Sequence, residues 1–296
     1  MLLTMVILKT PIKESLSSPL EEYFCENNCP TWGIEKINDR TPSELFGYFD
    51  SAEDAQREYA ILRGAFPELP EGAPVSPVND CDWKNEYKKF LTAWNFENLH
   101  WVPVWMKDSY KVPEGHKVLY FDAGLAFGTG DHPTTRLCAM SMMDYLKERK
   151  GDVANVSLID AGCGSGILAL SAKLLGFGDI YGFDRDEEAV RVSIENAAFN
   201  AIALDGVKFE HAGIESALSE RKADIVLANI ISDVLCIYAD NLINSVNSGG
   251  RLVLSGILAE ENPKVREFFL KRGGDKIASC ESAVMGDWSR LEMKIK

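Results

Sequence analysis

Short apolar runs alternate along most of the chain with apolar residues at helical spacing. Near the N-terminus, Met5-Val6-Ile7-Leu8 reads as a strand and Leu20 to Cys25 as part of a helix. Thr31-Trp32-Gly33-Ile34 reads as extended chain, and Ala52 to Leu62 as a helix with Ala55, Tyr59 and Leu62 on one face. This strand–helix–strand–helix rhythm predicts a small α+β domain of sandwich type over residues 1–75. Pro67, Pro70, Pro74 and Pro77, with Gly72, predict a linker or long connection between Phe66 and Asp80. An aromatic tract follows from Trp83 to Trp105, including Tyr87, Phe90, Trp94, Phe96 and Trp101. Such rings are expected to pack between two domains. Residues 76–105 therefore form a linker and aromatic connecting segment in this reading.

From about Lys117 onward the pattern becomes β-α-β-α. Val156 to Ile159 predicts a strand, and Ile167 to Leu175 a helix with Gly176 as its stop. Ile180 to Phe183 is the next strand, and Asp186 is placed to cap a helix running to about Asn200. Val207 to Phe209, Ile225 to Leu227 and Leu252 to Leu254 are further strands. Runs of this kind predict a parallel sheet covered on both faces. At the C-terminus, Leu291, Met293 and Ile295 alternate with Glu292, Lys294 and Lys296. That period of two predicts a half-buried antiparallel strand beside the segment around Ile277. Residues 106–296 are thus expected to be one doubly wound α/β domain.

The chain has 296 residues, a hydrophobic fraction of 46% and a charged fraction of 26%, which suits a folded core without metals or disulfides. Its formal net charge of -14 disfavours a naked nucleic acid as partner and favours basic proteins through long-range steering. Seven scattered cysteines point to reduced thiols and a cytoplasmic location. Cys25 and Cys29 lack a nearby Cys/His pair to complete a zinc site. The apolar start is too short for a signal peptide, and no apolar stretch is long enough to span a bilayer.

The most informative segment is Leu158-Ile159-Asp160-Ala161-Gly162-Cys163-Gly164-Ser165-Gly166, joining a strand to a helix. Glycines there let the backbone turn tightly at the carboxyl edge of the sheet, where ligands bind. Ile167 stands where a dinucleotide fingerprint needs its third glycine, and the Gly-Lys-Ser/Thr ending of a P-loop is absent. Asp160 favours an ammonium or sulfonium over a phosphate by charge. Asp184, about 22 residues after Gly162, ends the next strand, where nucleotide-binding folds place the acid that takes ribose hydroxyls. Pro133 suits a first helical position, with Thr134 and Thr135 supplying hydroxyls in the first turn. His132 serves either as a base or as a residue holding its loop by hydrogen bonds. Asn229 follows a strand and either orients an amine or caps a helix. Cys163 has no histidine nearby in sequence and reads as packing. Met140, Met142 and Met143 read as core or interface.

The Asp160–Gly166 loop with Asp184 resembles the cofactor motif of class I methyltransferases. Three further segments narrow the likeness: Phe127-Gly128-Thr129-Gly130-Asp131-His132-Pro133-Thr134-Thr135, Leu227-Ala228-Asn229-Ile230-Ile231 and Leu254-Ser255-Gly256-Ile257-Leu258. Together they resemble PrmA-type methyltransferases, which modify a basic protein of the large ribosomal subunit. The likeness runs from about Asp82 to the C-terminus. It implies a Rossmann-like, seven-stranded, mainly parallel sheet that binds S-adenosylmethionine. It carries cofactor binding onto Thr135, Gly162, Asp184 and Asn229, with Gly164 in the same loop. Asp160 lies beside that pocket by the charge argument, and Phe127 and Gly128 begin a flap over the cofactor, the latter because its glycines permit unusual dihedrals. Asp131 departs from the family's threonine, and Ala123 from its proline. Replacement of the Asn-Pro-Pro-Tyr pattern by Asn229-Ile230-Ile231 disfavours a planar nitrogen acceptor. A lysine or terminal amine is the expected target, with Asn229 orienting it. The rival readings are a methyltransferase for another protein or a small amine, an NAD-dependent oxidoreductase, and a non-enzymatic module holding the cofactor. The N-terminal domain is expected to recognise the protein substrate.

Overall fold

The computed structural model describes residues 6–26, 31–35, 42–77, 92–122 and 132–296. The chain divides into two compact units, Met1–Lys89 and Phe90–Lys296.

The first unit runs β1 (Val6–Ile12), α1 (Ser17–Glu26), β2 (Trp32–Glu35), β3 (Ser43–Phe49), α2 (Ala52–Ala65) and β4 (Val75–Pro77). Among the described residues its strands form an antiparallel sheet in the order β2-β3-β1-β4. This is the split β-α-β arrangement, two βα units interleaved in one sheet. Strict alternation along β3 buries Leu45 and Phe49 and leaves Glu44, Phe46 and Tyr48 half-exposed on the other face. Leu8, Leu20, Leu45, Tyr59 and Leu62 fill the layer between sheet and helices. Ser51 caps α2 by accepting the Asp54 N–H at 3.1 Å.

The proline-rich stretch, expected as a linker, belongs to this unit up to Pro77. Leu69 and Ala73 enter its core, Tyr59 donates its hydroxyl to the Pro70 carbonyl at 2.9 Å, and β4 pairs with β1. Pro77 ends an edge strand, where a missing N–H is tolerated.

The second unit begins with β5 (Trp94–Phe96), β6 (Leu99–Pro103) and β7 (Lys117–Phe121). Among the described residues these form a small sheet, antiparallel then parallel. The aromatic tract therefore does other work than linking. Trp94 stacks on Trp101 at 4.0 Å, and Trp101, fully buried, donates its indole N–H to the Ser171 hydroxyl at 2.8 Å. Both rings belong to the core of the second unit; Trp83, Tyr87 and Phe90 lie outside the described residues.

The remaining elements are α3 (Pro133–Glu148), β8 (Ser157–Ala161), α4 (Ile167–Leu175), β9 (Asp179–Asp184), α5 (Glu187–Phe199), β10 (Val207–His211), α6 (Ile214–Ala217), β11 (Ala223–Asn229), α7 (Ser232–Ile237), α8 (Ala239–Asn244), β12 (Val246–Leu258), α9 (Asn262–Gly273), β13 (Ile277–Met285) and β14 (Trp288–Ile295). Among the described residues, seven strands form one sheet in the order β10-β9-β8-β11-β12-β14-β13. It is parallel except for β14, which runs antiparallel to both neighbours. Leu158, Ile180, Leu227 and Val253 point into one core, and their chain neighbours Ile159, Tyr181, Val226 and Leu252 into the other. Both faces are covered, which explains the unbroken apolar runs in the sequence. The strand order reverses between β8 and β11, the kind of switch point outside whose carboxyl ends open α/β sheets bind ligands.

Buried charges fix α3 to this sheet. Arg251 on β12, only 4% exposed, donates to Glu292 on β14 at 2.8 Å and to Glu148 on α3, and lies 5.0 Å from the centre of the Tyr145 ring. Glu292 also accepts the Ser141 hydroxyl of α3 at 2.7 Å, and Arg290 donates to the Leu137 carbonyl at 3.2 Å. Removing Glu292 leaves two arginines without a shared acceptor in the interior. Glu292→Ala is expected to lower unfolding stability by about 3–5 kcal/mol. The exposed Arg191–Glu195 pair gives the comparison: Glu195→Ala should change it by less than about 1 kcal/mol. Thermal unfolding of the two variants measures both, and equal effects would refute the assignment.

Candidate functional site

Four segments converge on the switch point. The first is the loop between β8 and α4. Gly162, Gly164 and Gly166 have φ of 70°, 53° and 75°, a region that side chains disfavour. The end of β9 grips this bend. The Phe183 carbonyl accepts the N–H groups of Gly162 at 2.9 Å and Cys163 at 3.0 Å. Asp184 accepts the Gly164 N–H at 3.0 Å through one oxygen and the Asp186 N–H at 3.0 Å through the other. A carboxylate offers about four acceptor positions, so these two backbone bonds leave half of its capacity open. Gly166 lacks room as well: a Cβ there would sit 2.8 Å from Ser193. Among the described residues, a Cβ on Gly162 would meet Ile230 alone, at an ordinary contact distance of 3.6 Å.

Asp160, expected beside a cationic ligand, makes a backbone bond within the fold. It is buried, and its carboxylate accepts the Ala169 N–H of α4 at 3.0 Å. Burial pushes its pKa up to about 7, the Ala169 bond opposes that rise, and the Asp184 charge adds to it. The side chain anchors the first turn of α4 behind the loop. Cys163 is a packing residue: burial raises its thiol pKa, and its sulfur lies 3.7 Å from the Ser193 hydroxyl.

The second segment is the start of α3. His132 is its N-cap, accepting the Thr134 N–H at 3.4 Å and bonding the Thr134 hydroxyl at 2.7 Å. Burial lowers the His132 pKa, and its ring packs edge-on against Trp288 at 4.8 Å. These bonds are those of a residue that holds its loop. Pro133 takes the first helical position. Thr135 is buried one turn in.

The third segment ends β11. Asn229 donates to the Thr135 hydroxyl at 3.4 Å, a long bond. Its carbonyl oxygen Oδ1 is a buried polar atom without a hydrogen-bond partner among the described residues. Leaving such an acceptor unsatisfied costs about 1–3 kcal/mol, so the position is poised for a further donor. Asn229 caps no helix, because α7 starts at Ser232 with Ile231 before it. The fourth segment explains its neighbour. Gly256 has φ of 82°, and a Cβ there would strike the Ile230 carbonyl at 2.4 Å. Without one, Ile230 donates its N–H to Ser255 at 3.1 Å and rests beside Gly162.

The structure thus brings together Thr135, Gly162, Gly164, Asp184 and Asn229 around the switch point, with Asp160 behind them. Phe127, Gly128, Ala123 and Asp131 lie outside the described residues. Sequence reading missed three polar residues, Ser193 and Asn196 on α5 and its C-cap Asn200, that hold the surroundings. Ser193 donates to the Gly164 carbonyl at 2.9 Å, and Asn196 and Asn200 bond the end of β7. Their spacing along one helix face was the available signal. No group of three or more potential metal ligands occurs among the described residues, and no described helix is long and apolar enough to cross a membrane.

The chain is similar to known proteins along most of its length. The family model described as Ribosomal protein L11 methyltransferase (PrmA) matches residues 14–296. The Ribosomal protein L11 methyltransferase of Alkaliphilus oremlandii is 30% identical over 95% of this chain and 90% of its own length. Its counterpart from Azotobacter vinelandii is 40% identical over 76% of this chain and 73% of its own length. Among solved structures, the ribosomal protein L11 methylase of Lactobacillus delbrueckii subsp. bulgaricus is similar with a TM-score of 0.58 and 28% identity, covering 69% of this chain and 98% of that one.

The raised Asp160 pKa has a thermodynamic consequence. Between the ordinary carboxyl value of 3.8 and about 7, the folded protein binds a proton that the unfolded chain has lost. Stability from this group is therefore complete at low pH and falls as pH rises through that window. Asp160→Asn keeps an oxygen for the Ala169 N–H and removes the titration. Its melting temperature relative to the unchanged protein should climb between pH 4.5 and 7.5, read by thermal unfolding across that series. Parallel profiles would contradict the buried carboxyl.

Proposed function

The chain belongs to the ribosomal protein L11 methyltransferase (PrmA) family, and from that premise we propose that it transfers methyl groups from S-adenosylmethionine to lysine or terminal amines of ribosomal protein L11. The observation that carries the reading is the buried Asn229 Oδ1, unpartnered among the described residues, together with the glycine-rich bend of Gly162 to Gly166. A cofactor with an adenosine sugar and a sulfonium fits these groups. The free lone pairs of Asp184 accept ribose hydroxyls, and Gly162 admits the ligand without a Cβ in the way. Thr135 and Asn229 line the opposite side, joined to each other. Phe127 and Gly128 are proposed to complete the cover.

Bound there, S-adenosylmethionine supplies a methyl group already activated by its positive sulfur. The remaining work of the chain is to align and desolvate the acceptor. Asn229 Oδ1 accepts an N–H of the incoming amine and turns its lone pair toward the methyl carbon. Ile230 beside it, half-buried next to Gly162, is the apolar neighbour that favours the neutral, nucleophilic amine. Isoleucines in place of flat prolines leave the acceptor pocket unsuited to clamping a planar amide.

The first unit is proposed to recognise the protein substrate. The face of its sheet turned away from α1 and α2 carries Phe46 and Tyr48, whose rings meet edge-on at 5.8 Å. Paired aromatics on an open sheet give a large contact area at small entropic cost. The net charge of -14 draws a basic partner toward the enzyme.

Two measurements test the proposal. Mass spectrometry of purified L11 incubated with enzyme and S-adenosylmethionine should show 14-Da increments, by the general mass of a CH₂ group, roughly. Asn229→Ala should lower kcat by about a hundredfold, the usual scale for one positioning hydrogen bond. Absence of increments with the unchanged enzyme, or full turnover by the variant, would refute the respective claim. Replacing Phe46 and Tyr48 together by Ser should raise KM for L11 about tenfold or more while leaving cofactor affinity unchanged, read by steady-state kinetics and calorimetry. An unaltered KM would remove the open sheet face from substrate recognition.

A further inference from the structure

We propose that Asn196 is a positioning residue that locks the glycine loop to the end of β7, so that the loop binds its ligand at full affinity only with that strand end in place. The inference rests on the reading of the loop as the S-adenosylmethionine site.

Asn196 lies on the inward face of α5 and is 4% exposed. Its Oδ1 accepts the Asp122 N–H at 3.0 Å, and its Nδ2 donates to the Asp122 carbonyl at 3.0 Å. These two bonds copy the paired bonds by which one residue of an antiparallel strand holds another. One helical turn on, Asn200 repeats the device. Its Oδ1 accepts the Tyr120 N–H at 2.8 Å, and its Nδ2 donates to the Tyr120 carbonyl. Four residues of helix rise about 6.0 Å and two residues of strand about 6.6 Å. The spacing of the two asparagines therefore matches Tyr120 and Asp122, and α5 serves β7 as a substitute neighbouring strand.

Asn196 differs from Asn200 in where its third bond goes: Asn200 Nδ2 donates back to the Asn196 main-chain carbonyl at 2.7 Å, within the helix end. Asn196 Nδ2 donates to the Ser165 carbonyl at 2.9 Å, inside the glycine loop. Ser193, one turn earlier, holds the Gly164 carbonyl at 2.9 Å. Asn196 is thus the residue at which helix, loop and strand end meet. Both of its amide hydrogens and its oxygen are used, so movement of Asp122 away from α5 exposes a buried amide bonded to the loop. The chain leading to Phe127 and Gly128 departs from this fixed point. Asn200 supplies the control, since it edges the same strand without touching the loop.

The test uses the full-length protein and the variants N196L, N196D and N200L. N196D keeps the acceptor for the Asp122 N–H and lacks the donors, so it reports if N196L fails to fold. Calorimetry with S-adenosylmethionine should show Kd raised roughly tenfold or more in the two Asn196 variants, the scale of one unsatisfied buried hydrogen bond. In L11 methylation, KM for the cofactor should rise in parallel while kcat at saturation stays within about twofold. N200L should melt earlier yet keep the affinity of the unchanged protein. Amide hydrogen exchange gives a readout independent of any ligand. N196L should lose protection at both Gly164 and Asp122, and N200L at Tyr120 alone. Unchanged cofactor affinity in the Asn196 variants, or lost protection at Asp122 with the loop intact, overturns the lock. Failure of the unchanged protein to bind S-adenosylmethionine would instead overturn the cofactor reading, with the exchange pattern still deciding the lock.

Discussion

A bend built from glycines cannot hold its own shape, and the rest of the second unit is arranged around supplying what it lacks. Its three left-handed residues leave the N–H groups of Gly162, Cys163 and Gly164 outside any helix or ladder. The last two residues of the neighbouring strand receive all three, through the Phe183 carbonyl and the Asp184 carboxylate. Buried backbone groups must find partners, so the loop takes one shape only when β9 ends in register beside it. The acid proposed to take the ribose is therefore also the acid that shapes the loop. Loss of Asp184 would disturb both roles together.

The opposite wall is held by different physics. Thr135 stands in the first turn of α3, and that helix is pinned to β12 and β14 by Arg251, Glu292, Arg290 and Ser141. Buried ion pairs add little net stability over an apolar core, but they fix geometry because a shifted partner leaves a charge unpaired. Asn229 is placed by its strand and by the absence of a side chain at Gly256, which lets the next residue fold back onto β12. One wall is thus set by backbone hydrogen bonds and the other by charge and close packing. The acceptor left open between them, Asn229 Oδ1, is the local unfavourable feature that such packing sustains and that a ligand would relieve.

The same logic accounts for the division of labour proposed between the units. Methyl transfer to a protein requires a narrow, desolvated contact at one amine and a broader surface that selects the protein. The site at the switch point is proposed to offer the first. An aromatic pair on the sheet face turned away from α1 and α2, in a chain of strong negative charge, is proposed to offer the second.

Local chemistry made much of this legible in the sequence. Runs of branched apolar residues, glycines at helix ends, Asp186 as a cap and Pro133 at a first turn each act within a few residues, so elements and the cofactor motif could be read directly. Contacts far apart in the chain could not. That Asp160 turns inward to Ala169, that Trp94 and Trp101 fill a core instead of joining two units, and that Pro77 closes an edge strand all depend on which strands became neighbours. Asn196 shows the limit most clearly. In sequence it is one polar residue on a helix, and only the meeting of α5, the glycine loop and Asp122 decides that its amide is buried and fully bonded. Propensity and pattern belong to the sequence because they arise from near neighbours; the partners of a buried polar group belong to the tertiary structure because they are chosen by chain closure over tens of residues.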